Sequence, residues 1–334
     1  DFAERSRRSG RLALRVPPVV VERLRRAAEQ AGGELPDDHP IRRQAVPRRE
    51  EHSTLPHELD DPLGEATYTP VARLVHRYAD RALLLVTDQC ALHCRHCFRS
   101  RFTGGGRGAV SAAELADAVD YLSAHPEIAE LILSGGDALL LSDESLEEVF
   151  RKTRRARPGL TFRVATRTPV VLPSRITGGL VELLRSHDPV WLVMQVNHPD
   201  ELDEPSRRAI ERLVDGGIPV VNQAVLLAGV NDDAATLSRL FRELVALRVK
   251  PYYLFQADLA RGTRHFRVNL ERARDIVAEL RRTLSGLAMP VFAVDIPGGG
   301  GKVPLEESAF AGEDAEGYRF IGSDGRTYHY PKET

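Results

Sequence analysis

The stretch ALLLVTDQCALHCRHCFRSRF (residues 82–102) opens as a short buried strand and runs, at its carboxyl end, into three cysteines. Cys90, Cys94 and Cys97 are the only cysteines of the chain. Three thiols spaced C-x3-C-x2-C can bind three corners of a cubic [4Fe–4S] cluster. Ferredoxin-type clusters take four cysteines, and this sequence has no fourth. One iron is then left open to a small molecule, and an open metal position is what a catalytic site needs and a structural site avoids. A zinc held with help from His93 and His96 is the competing reading, but it asks for a closed four-ligand site, often with a second knuckle elsewhere. A disulfide fits worse. The cysteines are odd in number, too close together, and the opening DFAERSRRSGRLALRV shows no secretory apolar region.

The wider composition narrows the class. The chain has 334 residues, 42% hydrophobic and 28% charged, as in an ordinary globular protein. A net charge of −2 gives no reason to expect nucleic acid. No apolar run approaches membrane-spanning length, so no membrane partner is expected. Thiols meant for a cluster imply a reducing, cytoplasmic setting. Only four of the 46 basic residues are lysines (Lys152, Lys250, Lys302 and Lys332), which leaves lysine chemistry few candidates.

Working outward from the cysteines, residues 1–80 read as an N-terminal helical and irregular extension. VVVERLRRAAEQAGG (19–33) has the pattern of an amphipathic helix stopped by glycine, and 34–70 is expected to wrap over the surface. From residue 82, apolar runs alternate with helical stretches. Strands are expected at 82–87, 130–134, 161–166, 191–196, 220–227, 251–256 and 291–295. Helices are expected at 111–123, with Ser111 and Glu114 as a capping box, at 142–155, and near 175–186, 204–215, 233–247 and 270–283. Such alternation predicts a parallel sheet. Polar residues cluster after almost every strand, which is the barrel pattern; a doubly wound sheet would gather them at one switch point. Six or seven β/α units are too few for a closed eightfold barrel. The expectation is therefore an α/β fold: a partial (β/α)6-type barrel core over 81–256, with 257–334 as a C-terminal segment.

TDQCALHCRHCFRSRF, LILSGGDALLLSDESLE, TRTPVVLPSRIT, NHPDE, PYYLFQADLARGTRHFR and DIPGGGGKVPL together resemble the lysine 2,3-aminomutases. The likeness covers roughly residues 39–334. The cysteine motif marks only the radical S-adenosylmethionine (SAM) superfamily; DIPGGGGK and its distance from QADLARG mark the subfamily. The resemblance implies a radical SAM barrel, a [4Fe–4S] cluster on Cys90, Cys94 and Cys97, SAM, and pyridoxal 5′-phosphate (PLP). It implies an isomerase that moves the amino group of L-lysine from Cα to Cβ, by a 5′-deoxyadenosyl radical acting on a PLP aldimine, to give β-lysine. An electron donor such as flavodoxin or ferredoxin and a homo-oligomer, dimer or tetramer, are implied as partners. Some members carry further zinc-binding cysteines near the C-terminus; no cysteine follows Cys97 here, so that zinc is not expected.

The resemblance also assigns residues. Gly135, Gly136 and Asp137, with Asn197 and Gln223, match positions facing SAM. Gln195 departs from the histidine usual on that strand. Lys302 matches the PLP lysine, behind Gly298 to Gly301, which would let it withdraw. A phosphate-binding P-loop is excluded there, because Ile296 and Val303 stand where glycine and a hydroxyl are required. Arg77 and Arg81 match positions near the PLP phosphate, which suits the planar fork of arginine. Arg99 matches a clamp for the substrate carboxylate. Asp258 and Asp295, each at a strand end, match the pair that holds the substrate ammonium; two buried carboxylates repel unless a cation lies between them.

Arginine, ornithine or another amino acid is the alternative substrate. A PLP-free radical SAM methylase or dehydratase would leave Lys302 without a role. A non-enzymatic zinc-binding module would leave the strand-end residues without one.

Overall fold

The computed structural model describes residues 12–297, 300–305, 310–314, 317–322 and 326–331. Gly298, Gly299 and Lys332 lie outside the described residues.

The sheet forms where the apolar runs predicted it. It starts with β1 (Leu74–Tyr78) and β2 (Arg81–Thr87), and continues through β3 (Glu130–Gly135), β4 (Thr161–Thr166) and β5 (Val190–Met194). It then runs through β6 (Val220–Leu226), β7 (Lys250–Gln256), β8 (Val291–Ile296) and β9 (Gly301–Pro304). The strands lie in strict sequence order. β2 to β8 are mutually parallel; β1 and β9 are antiparallel edges. Sequential order is what a barrel requires and what a doubly wound sheet breaks. The β2–β8 run amounts to six β/α units and one further strand. The expected divisions at 80/81 and 256/257 do not interrupt it, because β1 precedes the first, while β8 and β9 follow the second. A separate antiparallel sheet, β10 (Phe310–Glu313), β11 (Gly317–Ile321) and β12 (Thr327–Pro331), closes the chain.

Side-chain alternation divides each strand between two environments. Leu131, Leu133, Phe162, Val164, Leu192, Ala224 and Leu254 face the helices and are almost fully buried. The alternate positions Ile132, Arg163, Val193, Gln223 and Tyr253 line the concave face instead. The covering helices start where their caps allow. Ser111 caps the helix Ala112–Ala124 in a reciprocal box with Glu114, Ser142 caps Asp143–Ala156, and Asp203, Asp233 and Asn269 cap the later ones.

The extension departs from expectation. The helix Pro18–Gln30 forms, but residues 34–70 do not simply wrap the surface. Short helical turns at Pro40–Ala45, Arg49–His52 and Glu65–Tyr68 bury Ile41, Gln44, Ala45, Glu51 and Glu65. Leu59 forms a parallel bridge with Ala260, beyond β7. The extension thus packs over the carboxyl ends of the strands, where the polar residues stand.

Candidate active site

The concave face of the sheet encloses a cavity of about 590 Å³. Cys90, Cys94 and Cys97 lie along it, as do Gly135, Gly136, Asp137, Gln223, Arg77, Arg81, Arg99, Asp258, Asp295 and Lys302. Of the residues expected in the site, Asn197 alone stays outside its wall.

The cysteine loop is held from three sides. Asp88 accepts hydrogen bonds from the backbone N–H of Arg107 and Gly108 at 2.7 and 3.0 Å. From the extension, the Gln44 carbonyl accepts the Arg95 N–H and the Arg15 carbonyl accepts the His93 N–H. From β3, Gly135 and Gly136 press against the backbone of residues 87–89. A Cβ on either would stand 2.2 Å from a carbonyl oxygen, that of Thr87 or of Gln89. These glycines therefore let two chain segments touch, a use distinct from admitting a ligand. Burial, and then the charge of Cys94, push the Cys97 thiol up to about 11. Cys90 is raised in the same way, chiefly by burial. Three half-buried cysteines along one cavity, whose thiolates would repel unless a cation lay between them, are donors suited to a cationic centre, so the set fits an iron–sulfur cluster. His93 and His96 each spend one ring nitrogen elsewhere, while His93 Nε2 and His96 Nδ1 are buried without a partner. His93 Nδ1 contacts the Ala13 carbonyl at 2.8 Å. His96 is driven down to about 3 by burial and by Arg167, and contacts Asn197.

Behind the cysteines lies a network that the sequence did not announce. Arg167, just past β4, donates to Cys94 Sγ at 2.8 Å, to Gln44 Oε1 at 2.7 Å and to Glu201 Oε2 at 2.6 Å. Asp137 accepts from Thr166 Oγ1 at 2.6 Å and from the Arg167 N–H at 2.8 Å, while burial holds its carboxyl above the usual range. Asn197 gives its amide to Gln44 at 3.0 Å and accepts the Val225 N–H at 2.9 Å. It shares strand parity with the cavity-lining Gln195, but β5 ends at Met194, so the chain turns before Asn197 could face inward.

At the other end, Lys302 Nζ lies 3.2 Å from Asp295 Oδ2. Tyr78 and Phe255 place their rings 6.0 and 5.5 Å from that ammonium, and Tyr78 Oη accepts the Lys302 N–H at 3.2 Å. Gly301, at φ +81°, supplies the left-handed turn into β9. Arg77 Nη1 is 3.6 Å from Asp295, while its Nε and Nη2 are buried without a hydrogen-bond partner. Arg81 stacks on Tyr78 at 4.0 Å. A lysine amine, two rings and orphaned guanidinium donors fit PLP and its phosphate. Lys250 is spent on the carbonyls of Gly286, Leu287 and Met289, and Lys152 on Glu148.

Asp258 is half-buried, and desolvation of its carboxyl, reinforced by Asp295, pushes it up to about 7. On the same wall Arg99 forms a two-point pair with Glu65 and donates to Ser134 Oγ at 3.1 Å. The sequence reading missed Glu65, Glu201 and the Arg163–Glu130 pair within the cavity, and counted Arg167 among the strand-end polar residues without giving it a role. Glu65 sits in an acidic loop with no motif. Arg167 and Glu201 lie beside the TRTP and NHPDE segments, which were legible only as a likeness.

The Radical SAM superfamily profile matches residues 84–240. L-lysine 2,3-aminomutase of Acetoanaerobium sticklandii is 47% identical over 272 residues, 81% of this chain and 66% of that protein. A Treponema pallidum protein provisionally given the same name is 40% identical over 300 residues, 88% of this chain and 84% of that one. Glutamate 2,3-aminomutase of Clostridioides difficile is 38% identical over 266 residues, 80% of this chain and 63% of that protein. The sequential sheet with three cysteines past its first parallel strand is thus a radical SAM barrel, a domain that implies a [4Fe–4S] cluster and SAM. Within that superfamily the chain belongs to the lysine 2,3-aminomutase family. It spans about two thirds of the length of the A. sticklandii relative.

Proposed function

We propose that this chain is a lysine 2,3-aminomutase, an isomerase converting L-lysine to β-lysine. The observation that carries the reading is one cavity whose wall carries both a carboxylate pair, Asp258 and Asp295, and a buried arginine, Arg99. That is the complement of an amino acid with a cationic tail. When bound, the cluster and SAM supply a 5′-deoxyadenosyl radical, and PLP supplies the carbonyl that carries the migrating amine. Cys90, Cys94 and Cys97 would hold the cluster; Gly135, Gly136, Asp137, Asn197 and Gln223 would shape the SAM pocket, with Asn197 acting from behind the wall. Lys302 would carry PLP, with Arg77 and Arg81 on its phosphate.

The protein's own groups then have definite tasks. Asp258 and Asp295 bind the substrate ammonium, which compensates two carboxylates that otherwise repel. Arg99 takes the α-carboxylate. Lys302 already holds a cation against Asp295, so an incoming ammonium replaces one like charge by another. The covered strand ends keep water from the reacting carbons.

Arginine and ornithine are the alternative substrates, since each carries a cationic tail. Glutamate, the substrate named for the C. difficile relative, would set a third carboxylate beside the aspartate pair. Anaerobic competition among lysine, arginine, ornithine and glutamate tests the reading: lysine should win, and preference for glutamate would sink it. We further infer an electron donor of the flavodoxin or ferredoxin type, a reducing cytoplasm, and a homo-oligomer. The exposed Phe320, Ile321 and Tyr330 of the terminal sheet support the last. Among the described residues no helix is long and apolar enough to cross a membrane.

A further inference from the structure

We propose that Glu65, supplied by the N-terminal extension, is the positioning residue that aims Arg99 at the substrate carboxylate. This rests on the reading of Arg99 as the carboxylate clamp. The geometry of the pair makes the argument. Arg99 Nε lies 3.1 Å from Glu65 Oε2, and Nη2 lies 2.6 Å from Oε1. Glu65 therefore takes the side edge of the guanidinium. Nη1 points to Ser134 Oγ at 3.1 Å, and the Phe98 ring lies 4.7 Å from the guanidinium carbon. Of the guanidinium's five donors, one hydrogen on Nη1 and one on Nη2 are left, on a side chain that lines the cavity. A planar guanidinium offers five donors in a fixed fork. Fixing one edge with one carboxylate thus fixes where the other edge points.

Charge works in the same direction. Burial disfavours ionisation of Glu65, but Arg99 overrides it and holds the carboxyl below its usual range. The pairing thus offsets the cost of burying both charges.

Glu65 is itself firmly placed. Gly64 adopts φ +65° to turn the chain, and Asp61 accepts the N–H groups of Glu65 and Ala66 at 3.0 and 2.9 Å. Asp61 is in turn paired to Arg101 at 2.8 Å, two residues past Arg99. Six residues earlier, Leu59 exchanges backbone hydrogen bonds with Leu259 and Arg261, beside Asp258. The 59–65 segment therefore ties the cationic end of the site to the carboxylate pair, and helps set the length of amino acid that fits between them.

The test uses the full chain loaded with cluster and PLP, comparing Glu65→Ala and Glu65→Gln with wild type on lysine and on lysinamide, which lacks the carboxylate. In Glu65→Ala, KM for lysine, and the concentration at which lysine changes the PLP absorbance, should rise roughly ten- to hundredfold, the worth of a charge-assisted hydrogen bond. Lysinamide should change little and kcat stay within a few-fold, so the preference for lysine collapses. Glu65→Gln, which keeps one acceptor, should fall between. Equal or tighter lysine binding in Glu65→Ala would mean that Glu65 competes with substrate for Arg99. Equal losses on lysine and lysinamide would mean a merely structural role. Either result overturns the proposal. A wild type that ignores lysine fails the functional reading instead, and the same ratio is then measured on the amino acid it does accept and its amide.

Discussion

Lys302 Nζ rests 3.2 Å from Asp295 Oδ2, so the chain's own ammonium occupies the place where a substrate ammonium is expected. Of the three described lysines, it alone lines the cavity. Borohydride reduction of the PLP-loaded protein followed by peptide mapping should place the phosphopyridoxyl group on Lys302. Lys302→Ala should lose PLP retention while keeping its iron and sulfide. Label on Lys152 or Lys250 would contradict the assignment.

The neighbouring carboxylate gives a pH dependence with a defined sign. Asp258 is pushed up to about 7 by burial and by Asp295, so below that pH it is protonated and cannot compensate a cation. The kcat/KM for lysine, which reports the free enzyme, should fall as pH drops through about 7. Asp258→Asn should weaken lysine turnover severely and abolish this acid limb, with SAM and PLP binding unchanged. The stability consequence in the wild type runs the opposite way. Protonated Asp258 is tolerated in the fold at low pH, and stability is lost as pH rises from the unfolded value toward about 7. A flat lysine profile between pH 6 and 8 in wild type would refute the assignment.

Much of this was legible in the chain, for physical reasons. Strands such as TFRVAT (161–166) and helix starts such as Ser111 with Glu114 are local signals, and they sit where local rules put them. The cysteine spacing is equally local. What the sequence hid is which face of each strand looks inward. Short apolar runs carry no sign of this, so Arg163 and Glu130 passed as ordinary strand residues, although they pair inside the cavity. Asn197, assigned by likeness, lies past the end of β5 and outside the cavity wall, which its sequence position alone did not show. Glu65 is joined to Arg99 across 34 residues of chain, a contact that no pattern of spacing encodes.

The glycine pair after β3 is a packing requirement that can be measured. Gly136→Ala would push a methyl to 2.2 Å from the Gln89 carbonyl, one residue before Cys90. Such overpacking costs about 1–3 kcal/mol, occasionally more. Gly135→Ala adds backbone strain at φ +123°. Both variants should melt below wild type and carry less iron, with Gly135→Ala the worse. A Gly136→Ala protein with wild-type melting temperature and full iron content would show that the loop gives way at no cost.

Arg167 ties the cysteine loop to the barrel frame, and its loss should separate two effects. It lies against Cys94 Sγ and pairs with Glu201, with both charged side chains less than a tenth exposed. Arg167→Met leaves Glu201 an uncompensated buried charge, although Glu201 keeps the N–H groups of Asn197 and His198. Breaking a buried pair in this way costs about 3–5 kcal/mol. The double variant Arg167→Met with Glu201→Gln removes both charges and should recover most of that loss. The cluster reads the same cation from its other side. A guanidinium against a ligating sulfur stabilises the more negative, reduced state, so the single variant should have a lower midpoint potential in an anaerobic titration followed by electron paramagnetic resonance. The double variant, having shed the negative neighbour as well, should lie closer to wild type. If the single variant keeps both wild-type stability and wild-type potential, Arg167 neither compensates Glu201 nor acts on Cys94.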